Sequence, residues 1–146
     1  MTKLFVIQSD AETWEEAIQK TSAVLLENHC VTDDFCISCI EREKMYPTGL
    51  TDYCPVALPH TSKEHVIHQA ICALKLNKPV KFYSMEDTRK TIEVSVVLNL
   101  AFLDDSQHIQ IISRIIRSLK EENFIKKLTQ SSVEELEELI NIRILN

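Results

Sequence analysis

Glycine is nearly absent from this 146-residue sequence. Average usage of about 7% would give roughly ten, and there is one, Gly49. A loop that cradles nucleotide phosphates on backbone N–H groups needs two or three glycines in one short stretch, so P-loop and dinucleotide-type sites are excluded. No apolar run approaches the length of a membrane span, and the apolar part of the opening MTKLFVIQSD is too short for a signal peptide. Basic runs are also missing. Lys and Arg total 16 against 22 Asp and Glu, a net charge of −6, which disfavours nucleic acid and anionic membrane as partners. The five cysteines form no secreted-type framework, so a cytoplasmic protein with reduced thiols is expected.

What is present fits one domain, residues 1–146, with an ordinary hydrophobic share of 45%. Leu4 to Ile7 reads as a short strand. Thr13-Trp14-Glu15-Glu16 has capping-box spacing and opens a helix on which Trp14, Ala17, Ile18, Thr21 and Leu25 recur, up to about Asn28. A second helix is expected from near Thr32, burying Cys36, Cys39 and Ile40 and ending in Glu41-Arg42-Glu43-Lys44. Residues 45–59 hold three of the four prolines and the glycine, an extended loop leading into a strand Val56-Ala57-Leu58 that Pro59 terminates. Ala70 to Leu76 and Val80 to Tyr83 read as two strands around the turn Asn77-Lys78-Pro79, and Ile92 to Phe102 as a central strand buried on both faces. Asp104-Asp105-Ser106 caps a helix carrying Ile109, Ile112, Ile115 or Ile116, and Leu119. Glu121 to Leu128 and Ser132 to Ile144, the latter opened by the capping box Ser132-x-x-Glu135, close the chain as helices. Interleaved strands and helices define an α/β class.

Several motifs invite chemistry. Cys36-x-x-Cys39 has no second cysteine pair to complete a zinc site and lies within a helix, so these cysteines are expected to be small buried hydrophobes. His60, Glu64, His65 and His68 match neither H-E-x-x-H nor H-x-x-E-H. No metal site is expected, and His65 and His68 read as surface residues. The acidic run Glu134 to Glu138 reads as a solvated helix face, with Leu136, Leu139 and Ile140 inward.

His60 is placed differently. It follows a proline-terminated strand in a fold class that binds ligands beyond the carboxyl ends of strands, and a neutral imidazole is a competent nucleophile. An ordinary surface histidine is the competing reading. His108 falls in the first turn of its helix, where unpaired N–H groups favour an anion. It points inward, to donate either to a phosphoryl oxygen or to a neighbouring backbone group. Arg42 ends a helix just before the loop to His60. Its guanidinium would fork onto an anion or simply suit a helix C-terminus.

Three segments together resemble one family. Arg42-Glu43-Lys44-Met45-Tyr46-Pro47-Thr48-Gly49-Leu50, Val56-Ala57-Leu58-Pro59-His60 and Ser106-Gln107-His108-Ile109-Gln110 are similar to segments of the enzyme IIA domains of the bacterial sugar phosphotransferase system. The type is the fructose/mannitol/galactitol one, which also includes nitrogen-related regulators. The resemblance implies a mixed sheet flanked by helices on both faces and no cofactor. It implies that His60 takes a phosphoryl group from the carrier HPr and passes it to a IIB component, with a IIC permease indirectly downstream. It also implies that Nε2 carries the group, with His108 stabilising the phosphoryl group and Arg42 compensating charge. The Arg42-to-His60 spacing, about two residues longer than in mannitol- and fructose-like members, resembles the galactitol group, whereas His108 is a mannitol-like feature. A nitrogen-type regulator, phosphorylated but signalling by binding a partner protein, is the alternative.

Overall fold

A computed structural model describes residues 1–51 and 54–146. A five-stranded mixed sheet runs in the order β1-β4-β5-β3-β2. Its strands are β1 (Lys3–Ser9), β2 (Gly49–Thr51), β3 (Cys54–Ala57), β4 (Ala70–Tyr83) and β5 (Thr91–Ala101). β1 is parallel to β4, β4 antiparallel to β5, β5 parallel to β3, and β3 antiparallel to β2. The Ile92-to-Phe102 run becomes the central strand, and its second half is buried on both faces.

Alternation along the two central strands assigns the two layers. Ile71 and Ala73 of β4 and Val96, Leu98 and Leu100 of β5 pack with Ile111, Ile115, Phe124, Leu128, Leu136 and Ile140. Those partners come from α3 (Asp105–Ser118), α4 (Glu122–Gln130) and α5 (Val133–Ile140). On the other face Ala70, Cys72 and Ala101 pack with Ile18, Leu25, Phe35 and Cys39, from α1 (Trp14–Glu27) and α2 (Phe35–Met45). The result is the expected α/β domain, a mixed sheet with helices on both faces.

Local chemistry sets the helix boundaries. The Thr13 side chain accepts from Glu16 N at the start of α1, and Ser132 and Glu135 form a full capping box on α5. A final π turn, Asn141–Leu145, replaces the expected last helical turns. With glycine so scarce, the position after the α1 cap is taken by His29 at φ 59°, the left-handed conformation that glycine usually fills.

Three expectations need correction. Ala70 to Tyr83 is one strand, because Asn77-Lys78-Pro79 falls in a shift of register between Lys75 and Val80 rather than in a reversing turn. Pro79 is tolerated where the ladder to β5 is interrupted. The loop 45–59 contains the additional strand β2, which pairs with β3 through Gly49↔Ala57 and Thr51↔Cys54; residues 52 and 53 of that loop lie outside the described residues. On α3, Ile109 is exposed and Ile111 takes the inward place, while Ile115 rather than Ile116 is buried.

Gly49 is required by contact. A Cβ there would sit 2.6 Å from the Tyr83 carbonyl oxygen, so no side chain fits where β2 passes the end of β4. Among the described residues, no helix is long and apolar enough to cross a membrane.

Candidate active site

The parallel pair β3–β5 ends on one edge of the sheet, and the chain leaves both strands there. Beyond β3, Pro59 offers no N–H, but its carbonyl accepts from Leu100 N at 2.9 Å, and His60 bridges to Leu100. Beyond β5, Phe102 and Leu103 lead to Asp104, the N-cap of α3. Gln69 secures this turn, because its Oε1 accepts from Leu103 N at 3.2 Å and Asp104 N at 3.1 Å. His60 and His108 thereby meet with ring centroids 4.9 Å apart, edge to face. The His108 ring stacks on Phe102 at 5.3 Å.

The half-buried His60 ring is held in one tautomer. Its Nδ1 lies 2.8 Å from the Leu58 carbonyl oxygen. A carbonyl can only accept, so Nδ1 carries the proton and Nε2 keeps the lone pair. Burial lowers the pKa to about 4, with His108 and Arg42 adding repulsion against a second positive charge and the Leu58 bond opposing the shift. Burial also lowers His108, Arg42 acting the same way and Asp105 against it. The His108 Nε2 is buried with no hydrogen-bond partner among the described residues. In a folded protein such an atom calls for a ligand or another explanation.

Arg42 lies exposed near the C-terminal end of α2, its guanidinium 5.4 Å from the Tyr46 ring centroid. With His60, Lys63, Phe102, Asp105 and His108 it lines a pocket of about 260 Å³. The three sequence-predicted residues therefore share one cleft. One expectation about that cleft fails. The N-terminus of α3 is not a free anion cradle, because the Asp104 carboxylate already accepts from Ser106 N at 2.8 Å and from Gln107 N at 3.4 Å. Asp105, at the rim, pairs with Lys63 at 3.6 Å. Donors to an anion here must come from side chains more than from the helix end.

Next to Arg42 on α2 is a group that sequence reading did not single out. Glu43, with 4% exposure, shares the inward stripe of α2 with Phe35 and Cys39. Its Oε2 accepts from Thr48 N at 2.7 Å, and Thr48 Oγ1 lies 2.9 Å from Oε1. Burial pushes this carboxyl up to about 7, against the Thr48 bonds that favour its charged form. Thr48 Oγ1 in turn accepts from Leu58 N at 3.1 Å. The available signal was the Phe35, Cys39, Glu43 spacing, an acid on an otherwise apolar helical stripe.

The other motifs stay outside this cleft. All five cysteines are free, and Cys39 is buried while Cys36 is half-buried. His68 is exposed; His65 is partly covered and its Nδ1 lies 3.0 Å from Asp34 Oδ1. Among the described residues, no His, Cys, Asp or Glu cluster is arranged to hold a metal ion.

Comparison with known proteins identifies the type of domain. The family model for the phosphoenolpyruvate-dependent sugar phosphotransferase system, EIIA 2, matches residues 2–142. The mannitol-specific phosphotransferase enzyme IIA component of Bacillus subtilis is 30% identical over 124 residues, covering 83% of this chain and 80% of that protein. The mannitol-specific EIICBA component of Escherichia coli is 27% identical over 134 residues, 89% of this chain, but the chain spans only 20% of that protein. Mannitol enzyme IIA of Escherichia coli, in the NMR structure of its complex with phosphorylated mannitol enzyme IIB, superposes with a TM-score of 0.77 at 27% identity, covering 97% of this chain and 95% of that one. A family match over almost the whole length, on a fold that brings two histidines together at a sheet edge, leads to one conclusion: the chain belongs to the EIIA domains of the mannitol/fructose-type sugar phosphotransferase system, a phosphocarrier family of phosphotransferases.

Proposed function

We propose that residues 1–146 act as a single cytoplasmic EIIA module in which His60 accepts the phosphoryl group from phosphorylated HPr and delivers it to a IIB component. The observation that carries this reading is the His60 ring, neutral and fixed through Nδ1 to the Leu58 carbonyl, beside a buried His108 Nε2 without a partner. Nε2 of His60 attacks phosphorus in line, a new N–P bond forms as the donor N–P bond breaks, and the donor imidazole leaves with the electron pair. His108 donates from Nε2–H to a phosphoryl oxygen, and Arg42 supplies compensating charge. Such transfer depends on positioning and electrostatic stabilisation rather than on covalent help from the protein. Between two imidazoles it is close to balanced in energy and reversible. A IIC permease is served indirectly, through IIB.

The acceptor class is the finer part of the proposal. The longer stretch from Arg42 to His60 supports a galactitol-type IIB. His108 beside His60 and the mannitol-specific relatives support a mannitol-type IIB as the second reading. Intact mass after incubation with phosphoenolpyruvate, enzyme I and HPr tests the core of the function. Wild type is expected to gain one acid-labile phosphoryl group and His60→Ala none. No gain on wild type, with HPr itself phosphorylated, overturns the reading. Adding galactitol-type or mannitol-type IIB to the phosphorylated protein then identifies the acceptor by which one discharges it. A module discharged by neither behaves as a regulator.

A further inference from the structure

We propose that Thr48, oriented by Glu43, is a positioning residue for the phosphoryl acceptor: it fixes the backbone at Leu58, and the Leu58 carbonyl fixes the His60 ring. This rests on His60 being the acceptor. A threonine hydroxyl has one proton and two lone pairs. Directed at the Glu43 carboxylate, 2.9 Å away, the proton leaves a lone pair for the Leu58 N–H at 3.1 Å. The Thr48 N–H also binds Glu43, at 2.7 Å, so main chain and side chain of Thr48 are held by the same acid.

The chain Glu43–Thr48–Leu58–His60 links α2 to the nucleophile without any of the first three residues lining the pocket. Its target is well chosen. Leu58 lies beyond the end of β3, and Pro59 has no N–H to offer. The backbone carrying His60 is pinned at three places: Leu58 N by Thr48, Leu58 O by the His60 ring, and Pro59 O by Leu100 N at 2.9 Å. Removing the Thr48 hydroxyl leaves the Leu58 N–H unpaired, in a site that is 4% exposed at Leu58 and 5% at Thr48. An unpaired buried donor is expelled or re-paired by a local shift, and such a shift moves the carbonyl that sets the His60 tautomer. The next residue, Gly49, is tied by its carbonyl, which accepts from Met85 N at 2.8 Å.

The test uses the full chain with ¹⁵N-labelled histidine, in wild-type, Thr48→Val, Thr48→Ser and His60→Ala forms. Thr48→Val is expected to slow single-turnover transfer at saturating phosphorylated HPr by about ten- to a hundredfold, the scale of a small misplacement of a reacting group. The HPr concentration giving half the maximal rate should not change. The His60 nitrogen shifts should move from a fixed Nδ1–H tautomer toward an average of the two, and Thr48→Ser should restore both rate and tautomer. Thr48→Val with wild-type rate and a fixed tautomer overturns the proposal, as does failure of Thr48→Ser to rescue. If Thr48→Val does not fold, Thr48→Ala, which leaves room for water, gives the same two readouts and the same decision. A wild type that takes up no phosphoryl group overturns the acceptor reading itself. That outcome is distinguishable, because the nitrogen shifts are measured without phosphorylation.

Discussion

Two pairs of histidines show how differently one fold surrounds an imidazole. His65 and His68 sit close together after His60, but with Glu64 their spacing matches neither metal-hydrolase motif. They lie around a short 3₁₀ turn, where the partly covered His65 meets Asp34 and His68 faces solvent. His60 and His108 are far apart in the chain, yet their rings approach to 4.9 Å at the sheet edge. The His60–His108 pair has burial and a nearby guanidinium that keep the rings neutral, and one backbone carbonyl that fixes the His60 tautomer while opposing that shift. A carbonyl partner in a desolvated site decides which nitrogen of a neutral ring keeps the proton.

The sharpest way to break this comparison is substitution within each pair. His60→Ala should abolish phosphoryl uptake, while His65→Ala and His68→Ala leave it within twofold of wild type; mass spectrometry of the phosphorylated form decides. His108→Ala should fold normally and slow transfer by about 10- to 1000-fold, the range for one lost oxyanion donor. Rapid-quench rates equal to wild type would remove His108 from the mechanism. Arg42→Lys keeps the charge but loses the fork and should cost less than His108→Ala in the same assay.

The pH dependence sharpens the comparison further. The proposed acceptor role of His60 needs a neutral ring, and burial lowers its pKa to about 4. Its NMR titration should therefore be flat from pH 8 to 6 and show a midpoint near 4; a midpoint at the ordinary 6.5 or so would contradict the burial argument. The linked effect on stability has a definite sign. The unfolded chain binds the proton first, so His60 contributes stability above about pH 6.5 that is lost as pH falls toward 4. The smallest effect concerns a histidine in neither pair. His29→Gly relieves a left-handed backbone and should raise stability by about 0.5–1 kcal/mol in denaturant titrations, with no change in transfer.

Much of this arrangement was legible in the residues. The capping residues at Thr13, Asp104 and Ser132 marked three helix starts because capping is local chemistry. The central strand was visible as an uninterrupted Val- and Leu-rich run. What escaped was set by contacts distant in sequence. Asn77-Lys78-Pro79 has turn composition, and only the register of β4 against β5 makes it an irregularity within one strand. β2 is three residues long and carries no periodicity to read. Ile109 matched an inward spacing on α3, but at the helix start that direction opens to solvent, and Ile111 is buried instead. Glu43 sat in a charged tetrad that looked solvated, because its partner Thr48 lies past the end of the helix. The cleft brought together Arg42, His60 and His108 as the sequence had suggested, but the Asp104 cap occupies backbone donors expected to face an anion.

The sheet order also sets a timetable for folding. Two antiparallel pairs, β2–β3 and β4–β5, join strands close together in sequence; β1 must find β4 across residues 10–69, with Lys3 against Ala70. Loop-closure entropy favours these local pairs as the first parts of the sheet to form, and the parallel pairings follow more slowly. The bridge from His60 to Leu100 is among the late contacts. His60 therefore reaches its place beside Leu100 only when β3 has found β5 across the chain between them.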